Sequence, residues 1–386
     1  MIRGQSELIA LSMVPGLGPK KILDLIGSTD SLKALSSIGE RKLKEILGIG
    51  FKNIKDIQNA GKREEYLKEI EFIENNDINV MTILEDAYPE VLKNIYDPPA
   101  VLYCKGTVKK DDENAVAIIG SRKCSVYGMQ MAEKLASALA ERGVTVVSGM
   151  ARGIDTSAHR GALRVKGRTI AVMGSGFEHI YPAESSDLVE AISKNGTVIT
   201  EHSSNVRPLK GNFPRRNRII SGMVKAVVVV EAARKSGAMI TVKYALQQGK
   251  EVMAVPGRAD SPSSSGTHFL IQSGAKLVTC AQDILEELNV SLSGVHEKEI
   301  NRKNGNQGKD LDGKISSPKI KNLDEGRIVD ILKEEKTMHV DQICETSGIL
   351  NNSLSEILLK MEIRGLVKVS AGKNYALTLT GSKYQK

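Results

Sequence analysis

Between residues 115 and 288 the chain alternates short, continuous apolar runs with longer amphipathic stretches, and no other feature restricts its fold so tightly. The runs are Ala115–Ile119, Val144–Val147, Thr169–Met173, Thr197–Thr200, Ala226–Val230 and Glu251–Val255. They are rich in β-branched residues and apolar at consecutive positions, the pattern of strands covered on both faces. Between most of them lie stretches with helical periodicity: Tyr127–Arg142, Asp155–Val165, Glu184–Lys194 and Ala238–Gln248. Alternation of this kind predicts an α/β fold with a doubly wound, mostly parallel sheet.

The flanks follow different patterns. Residues 1–70 read as a helical N-terminal domain: Leu8, Ile9, Leu11 and Met13 precede P-G-L-G-P at 15–19, and Ile22, Leu23 and Ile26 follow. A second glycine turn, Leu47-Gly48-Ile49-Gly50, comes after another apolar-periodic stretch. Helix, glycine turn, helix fits a helix-hairpin-helix or sterile-alpha-motif-like module, whose turn amides can face a phosphate. It fits equally a small helical bundle with tight turns. Residues 71–110 form a proline-containing bridge with a short strand at Val101–Cys104, and with the alternating region they make one domain over 71–288. Residues 289–322 lose apolar density and read as a flexible linker. The remainder, 323–386, reads as helices Leu323–Lys333, His339–Thr346 and Ser353–Arg364, then strands Gly365–Val369 and Tyr375–Leu377, a winged-helix order. Lys360 and Arg364 fall where a recognition helix sits, although winged helices also dock proteins.

Composition narrows the partner and the chemistry. Lys and Arg number 54 against 46 acids, a net charge of +8 that favours an anionic partner: nucleic acid, a membrane surface or an acidic protein. No apolar run approaches the roughly 18 residues of a membrane-spanning helix, and the start M-I-R-G-Q-S-E-L lacks a secretory layout. A cytoplasmic protein without membrane insertion is expected. Cys104, Cys124, Cys280 and Cys344 are far apart with no C-x-x-C, which fits neither a zinc site nor a disulfide framework. The six histidines are scattered as well, so metal catalysis is not expected.

In an open parallel sheet, ligands bind beyond the carboxyl ends of the strands. The first run ends in Gly120-Ser121-Arg122: a close backbone approach, a hydroxyl and a guanidinium fork suited to phosphate. Arg122 can alternatively cap a helix or pair with a surface acid. Neither G-x-G-x-x-G nor G-x-x-x-x-G-K-[ST] is present, which argues against a dinucleotide fold or a phosphate-loop NTPase. The second run leads into Gly149, Arg152 and Gly153 ahead of a helix, and the third ends in Gly174-Ser175-Gly176. Together they outline an anion-binding rim. His159 reads as structural, since no nucleophile arrangement accompanies it. After the fourth run comes K-G-N-F-P-R-R-N-R at 210–218, in a chain with five Phe and no Trp. Lys210, Gly211, Asn212, Phe213, Arg215 and Arg216 match what a single strand needs, charge for the backbone and a flat face for a base. The same residues also fit an amphipathic loop whose Phe plugs the core while its arginines stay solvated, with Arg218 as a structural pairing residue.

The motifs G-S-R at 120–122, S-G-M-A-R-G-I-D at 148–155, G-S-G at 174–176, Tyr181-Pro182, G-N-F-P-R-R-N-R-I-I-S-G at 211–222 and A-V-P-G at 254–257 closely resemble the DNA-processing protein A (DprA/Smf) family. The resemblance runs from about 85 to 288 and departs only slightly, at Met150, where leucine is more usual. It implies an extended Rossmann-like fold, with the flanking units similar to that family's helical N-terminal and winged-helix C-terminal domains. It further implies sequence-independent binding of single-stranded DNA, protection of that DNA, homodimers, and loading of RecA recombinase in natural transformation, with no catalysis and no required nucleotide cofactor. By motif, Gly120, Ser121 and Arg122 are expected at the phosphates, Lys210 and Arg216 as further charge contacts, and Phe213 against a base. The family's dimer and RecA surfaces correspond to roughly 235–285. Two other classes stay open on residues alone. One is a nucleotide phosphoribohydrolase-type enzyme, although the P-G-G-x-G-T signature is missing; the other is a transcription-factor head built on the winged helix.

Overall fold

The computed structural model describes residues 5–28, 38–48, 54–288, 323–335, 337–349, 354, 357–358, 360–362, 366–370 and 374–377. Positions 289–322, Ile49-Gly50 and Arg364 lie outside the described residues. The chain divides into two compact units, Met1–Ile300 and Asn301–Lys386.

The first unit is built on a nine-stranded sheet. In chain order the strands are β1 (Asn79–Thr82), β2 (Val101–Gly106), β3 (Ala115–Gly120), β4 (Thr145–Ser148), β5 (Thr169–Val172), β6 (Thr197–Thr200), β7 (Ala226–Glu231), β8 (Glu251–Ala254) and β9 (Lys276–Leu277). Their spatial order is β1-β2-β6-β5-β4-β3-β7-β8-β9. Every pair from β6 to β9 is parallel, while β2 joins β6 antiparallel and β1 joins β2 antiparallel. The expected α/β, mostly parallel, doubly wound fold is therefore present, extended by an antiparallel edge. Strand β1 has too little apolar alternation to be read from sequence, and it exists by pairing Asn79–Thr82 with Val101–Cys104.

The helices are α1 (Gln5–Ser12), α2 (Pro19–Gly27), α3 (Glu40–Leu47), α4 (Ile54–Gln58), α5 (Glu64–Asn75), α6 (Glu90–Lys93), α7 (Val126–Ala140), α8 (Ile154–Arg164), α9 (Ser186–Ser193), α10 (Asn212–Gly222), α11 (Ala238–Gln247), α12 (Ser265–Gln272) and α13 (Ala281–Glu287). Alternate strand residues go to opposite faces. Val116 and Ile118 pack with Leu135, Leu139 and Ala158 of α7 and α8, and with Ile284 of α13. Ala117 and Ile119 pack with Ile219, Val242 and Leu270 of α10, α11 and α12. Helices α1–α5 and α9 share a third cluster around Tyr103, Ala171 and Val198. Buried Glu69 of α5 accepts hydrogen bonds from the Ser204 amide (2.9 Å) and hydroxyl (2.6 Å), tying the N-terminal helices to the loop after β6.

Strand order reverses at β3: β4 lies on one side and β7 on the other, and α7 and α11 leave on opposite faces. The crevice between these departing loops is the topological switch point where open α/β sheets hold ligands.

One expectation needs correcting. The segment read as a loop from Lys210 to Arg218 is mostly helix, because α10 begins at Asn212. Pro214 falls in the first turn of this helix, where proline is tolerated because its missing N–H has no helical acceptor.

The second unit contains helices Leu323–Glu335 and Val340–Ser347, and helical residues Leu354, Ile357, Leu358 and Lys360–Glu362. A three-stranded antiparallel sheet accompanies them, with Val367–Ser370 and Met338–His339 each paired to Asn374–Leu377. Ile328, Leu332, Ile343, Leu354, Leu358 and Val367 form its core. Three helical segments and a β-ribbon in this order match the winged-helix expectation.

Candidate functional site

The β3–α7 loop forms one wall of the crevice, and its shape is set by buried contacts. At Gly120 a Cβ would lie 2.6 Å from Ile154 and 2.8 Å from the Glu231 carbonyl oxygen. The Ser121 amide donates to the same carbonyl (2.7 Å). The Ser121 hydroxyl donates to the Lys123 carbonyl (2.9 Å) and accepts from the Lys123 amide (3.1 Å), so it holds its own loop. Glu231 is buried and accepts from both the amide and the hydroxyl of Ser125, fixing the start of α7. The β4–α8 loop packs behind: Gly153 has φ +81°, and a Cβ there would lie 2.4 Å from the Ser121 carbonyl oxygen. Buried Met150 also adopts a left-handed φ of 56°, an uncommon conformation for a non-glycine residue. On this rigid loop pair Arg122 remains exposed.

The first turn of α10 supplies the facing groups. Phe213 is half-buried, with the Arg122 guanidinium 5.1 Å from its ring centroid. The ring of Tyr181 lies 5.5 Å away at an interplanar angle of 55°. Gly174 makes room for the ring, since a Cβ there would come within 3.0 Å of Phe213. These groups open onto a cleft of about 790 Å³, lined also by Lys123, Lys210, Ser236 and Ile240. Lys210 and Gly211 are exposed, and nothing lies within 4 Å of a Cβ placed on Gly211, so the backbone there is approachable. Among the described residues neither Arg122 nor Lys210 forms an ion pair. Two exposed cations outside any ion pair, beside the positive end of a helix dipole, make the cleft attractive to an anion, and the acid that also lines it, Asp155, is nearly buried.

The arginines separate sharply. Arg216 is only 3% exposed. It donates through Nη1 to the carbonyl oxygens of Gly149 (2.6 Å) and Val172, bracing α10 against the ends of β4 and β5. Burial drags its guanidinium down to about 10, with the nearby Asp155 carboxylate opposing. Burial in turn pushes Asp155 above its ordinary value, against the pull of Arg216. Arg216, expected as a charge contact, does line the cleft, but it is almost wholly buried and its Nη1 is spent on strand-end carbonyls. Gly149 serves the same brace, as a Cβ there would lie 2.4 Å from Arg216 Nη1. Arg218 is also buried. It forms a two-point ion pair with Glu201 (2.7 and 2.9 Å) and donates to the Asp97 carbonyl (2.8 Å). Burial pushes Glu201 up, but Arg218 overrides it and holds the carboxyl below its ordinary value.

Arg152 is exposed but engaged with Glu184 at 2.6 and 3.2 Å. Arg215 is exposed on the other side of α10, lining a second groove with the α1–α2 turn and the loop after β6. Asn212 is half-buried in the first turn of α10. The cleft therefore brings together Gly120, Ser121, Arg122, Lys210, Phe213 and the nearly buried Arg216, whereas Gly149, Arg152, Gly153 and Arg215 lie behind or beside it. His159 is fully buried, its Nδ1 2.8 Å from the Thr169 hydroxyl, and burial lowers it to about 3. It has no access to the cleft.

Sequence reasoning passed over Tyr181 and Glu231. The Tyr181-Pro182 pair was visible as a motif, and an aromatic after a glycine-rich strand end is the signal that marks it. Glu231 ends a fully apolar strand, and only its position beside β3 reveals it as the clamp on Ser125. Among the described residues no three metal-ligating side chains cluster.

A family model described as DNA recombination-mediator protein A matches residues 79–289, and a DprA winged helix domain model matches 316–373. The DNA processing protein DprA of Bacillus subtilis is 44% identical over 212 residues, covering 55% of this chain and 71% of that protein. Protein Smf of Synechocystis is 32% identical over 96% of this chain and 98% of its own length. The X-ray structure of DNA processing protein A from Streptococcus pneumoniae superposes with a TM-score of 0.65 at 35% identity, covering 74% of this chain and 99% of that one. A structure of DNA processing protein A from Helicobacter pylori, described for its single-stranded DNA binding mode, gives a TM-score of 0.50 at 31% identity, covering 55% of this chain and 95% of that one.

Proposed function

We propose that this chain, which belongs to the DNA recombination-mediator protein A (DprA/Smf) family, binds single-stranded DNA without sequence preference in the cleft between the β3–α7 loop and α10. The observation that carries this reading is Phe213, a half-buried aromatic ring under Arg122 in a cleft that Lys210 also lines, neither cation being ion-paired among the described residues. Arg122, Lys210 and the approachable backbone at Gly211 take the phosphates, and Phe213 with Tyr181 offers the flat faces on which bases stack. Gly120 and Ser121 shape the loop that presents Arg122; Gly149, Gly153 and Arg216 support the same wall from behind. Arg152 and Arg215 are reserves of charge at its margins. Family membership supports the wider role: protecting single strands and loading RecA in recombination and transformation, as a homodimer in the cytoplasm, with no chemistry of its own.

The test is oligo-dT binding at two salt concentrations, against duplex of equal length. Log affinity for a single strand falls by about 0.7 per phosphate contact per tenfold salt. Arg122→Ala should flatten that slope by roughly 0.7 and weaken all sequences alike. Phe213→Ala should leave the slope unchanged and cost about 1–3 kcal/mol. Parent-like affinity in both variants, or a preference for duplex, defeats the reading.

A further inference from the structure

Five phenylalanines occur in the chain, and among the described residues two carry a guanidinium over the ring: Phe213 under Arg122, and Phe269 under Arg234. The second pair is closer, 4.2 Å from Arg234 Cζ to the ring centroid against 5.1 Å for the first. Phe269 is 39% exposed despite its size, and Arg234 over it and the following Lys235 are both exposed. Neither cation forms an ion pair among the described residues. In the loop that leads into α12, Asp260 is engaged with Arg258 (2.9 and 3.0 Å).

One loop, residues 232–237, carries Arg234 and leaves the sheet at the switch point. Its far end faces the cleft: Ser236, Gly237 and Ile240 line the same space as Phe213. Its near end carries α12. The Gly266 amide donates to the Ala232 carbonyl (2.8 Å), a Cβ on Gly266 would lie 2.5 Å from that oxygen, and the Arg234 amide donates to the Ser265 hydroxyl (3.4 Å). Phe269 stands one turn further along α12, so the loop and helix hold it at a fixed offset from the cleft.

From this we infer that a strand lying in the cleft continues across the 232–237 loop and places a further base on the Arg234–Phe269 pair. Charge and stacking face repeat there in the form a single strand requires: a cation to meet the phosphate, and a ring or guanidinium plane to meet the base. An exposed Phe would otherwise suit an apolar partner, such as a second copy of this chain. A guanidinium against the ring, followed in the loop by a second exposed cation and with neither ion-paired among the described residues, favours the polyanion.

The inference rests on the cleft holding DNA, and the experiment separates the two. Fluorescence anisotropy is measured with oligo-dT of about 5 and about 20 nucleotides, lengths chosen within the usual span of single-strand sites. Phe269→Ala should weaken the longer strand about tenfold, the lower part of the stacking range, and leave the shorter one unchanged. Arg234→Ala should weaken the longer strand and reduce its salt slope by roughly 0.7. Phe269→Tyr should restore parent affinity. Parent affinity for the longer strand in Phe269→Ala overturns the inference. So does equal weakening of both lengths with a fall in molar mass by light scattering, which assigns the residue to self-association. If Phe213→Ala leaves both lengths unaffected, the cleft reading itself fails.

Discussion

Replacing Arg216 separates a buried brace from a DNA contact. Arg216→Ala strips donors from the Gly149 and Val172 carbonyls and leaves Asp155, 7% exposed, without its cation. Removing one partner of a buried charge pair costs about 3–5 kcal/mol. A domain of 150–250 residues loses about 2–4 °C per kcal/mol, so the melting temperature should fall by roughly 6–20 °C. The loss should depend on pH, with a sign fixed by Asp155. Its folded value already lies above its unfolded one, and removing the opposing Arg216 raises it further. Such a carboxyl costs nothing while protonated in both states and costs progressively more as pH climbs from the unfolded value through the folded one. The deficit relative to the parent should therefore be smaller near pH 4 than near pH 7, and Asp155→Asn should shrink it at neutral pH. Circular dichroism melts at both pH values read this directly. DNA binding, measured well below the melt, should keep the parental salt slope. An Arg216→Ala protein that melts with the parent but has a flattened slope would refute the assignment and return Arg216 to the phosphates.

Two more outcomes bear on the rival classes. A chain truncated after about residue 288 should keep its affinity for single strands, since every residue of the cleft lies before that point; loss of binding would move the site to the winged helix. Incubation with nucleoside monophosphates, followed by chromatography for free base, should show none. Release of base would make the cleft a hydrolase site.

The parallel sheet was legible because its strands are buried on both faces, and burial writes itself as consecutive apolar residues. All six runs appear as β3 to β8, shifted at most by a residue or two. The edge strands β1 and β9 were not legible: one is half-exposed and the other two residues long, and pairing partners distant in sequence define them. Helix α10 was hidden by Pro214 and by arginines that look solvated. Nothing local distinguishes Arg216, folded under two strand ends, from Arg215 one position earlier and exposed to water. The helical period separates them, and that period becomes readable only once the helix is known.

Glycines at the strand ends show why residue type was a better guide than the reason attached to it. Read along the chain, Gly120, Gly149 and Gly174 look like three backbone approaches to one anion. In the fold only the first belongs to the loop that presents a free cation. The space a Cβ would take at Gly149 is filled by the Arg216 guanidinium, and at Gly174 by the Phe213 ring. Both of those groups come from α10, at positions three apart on one helical face. Two of the three glycine motifs are thus sockets for a single helix: one takes its buried arginine, the other seats its half-buried aromatic. The β4 and β5 ends act on the cleft through α10, by fixing where Phe213 stands relative to Arg122, and the free charge itself comes from the β3–α7 loop and Lys210.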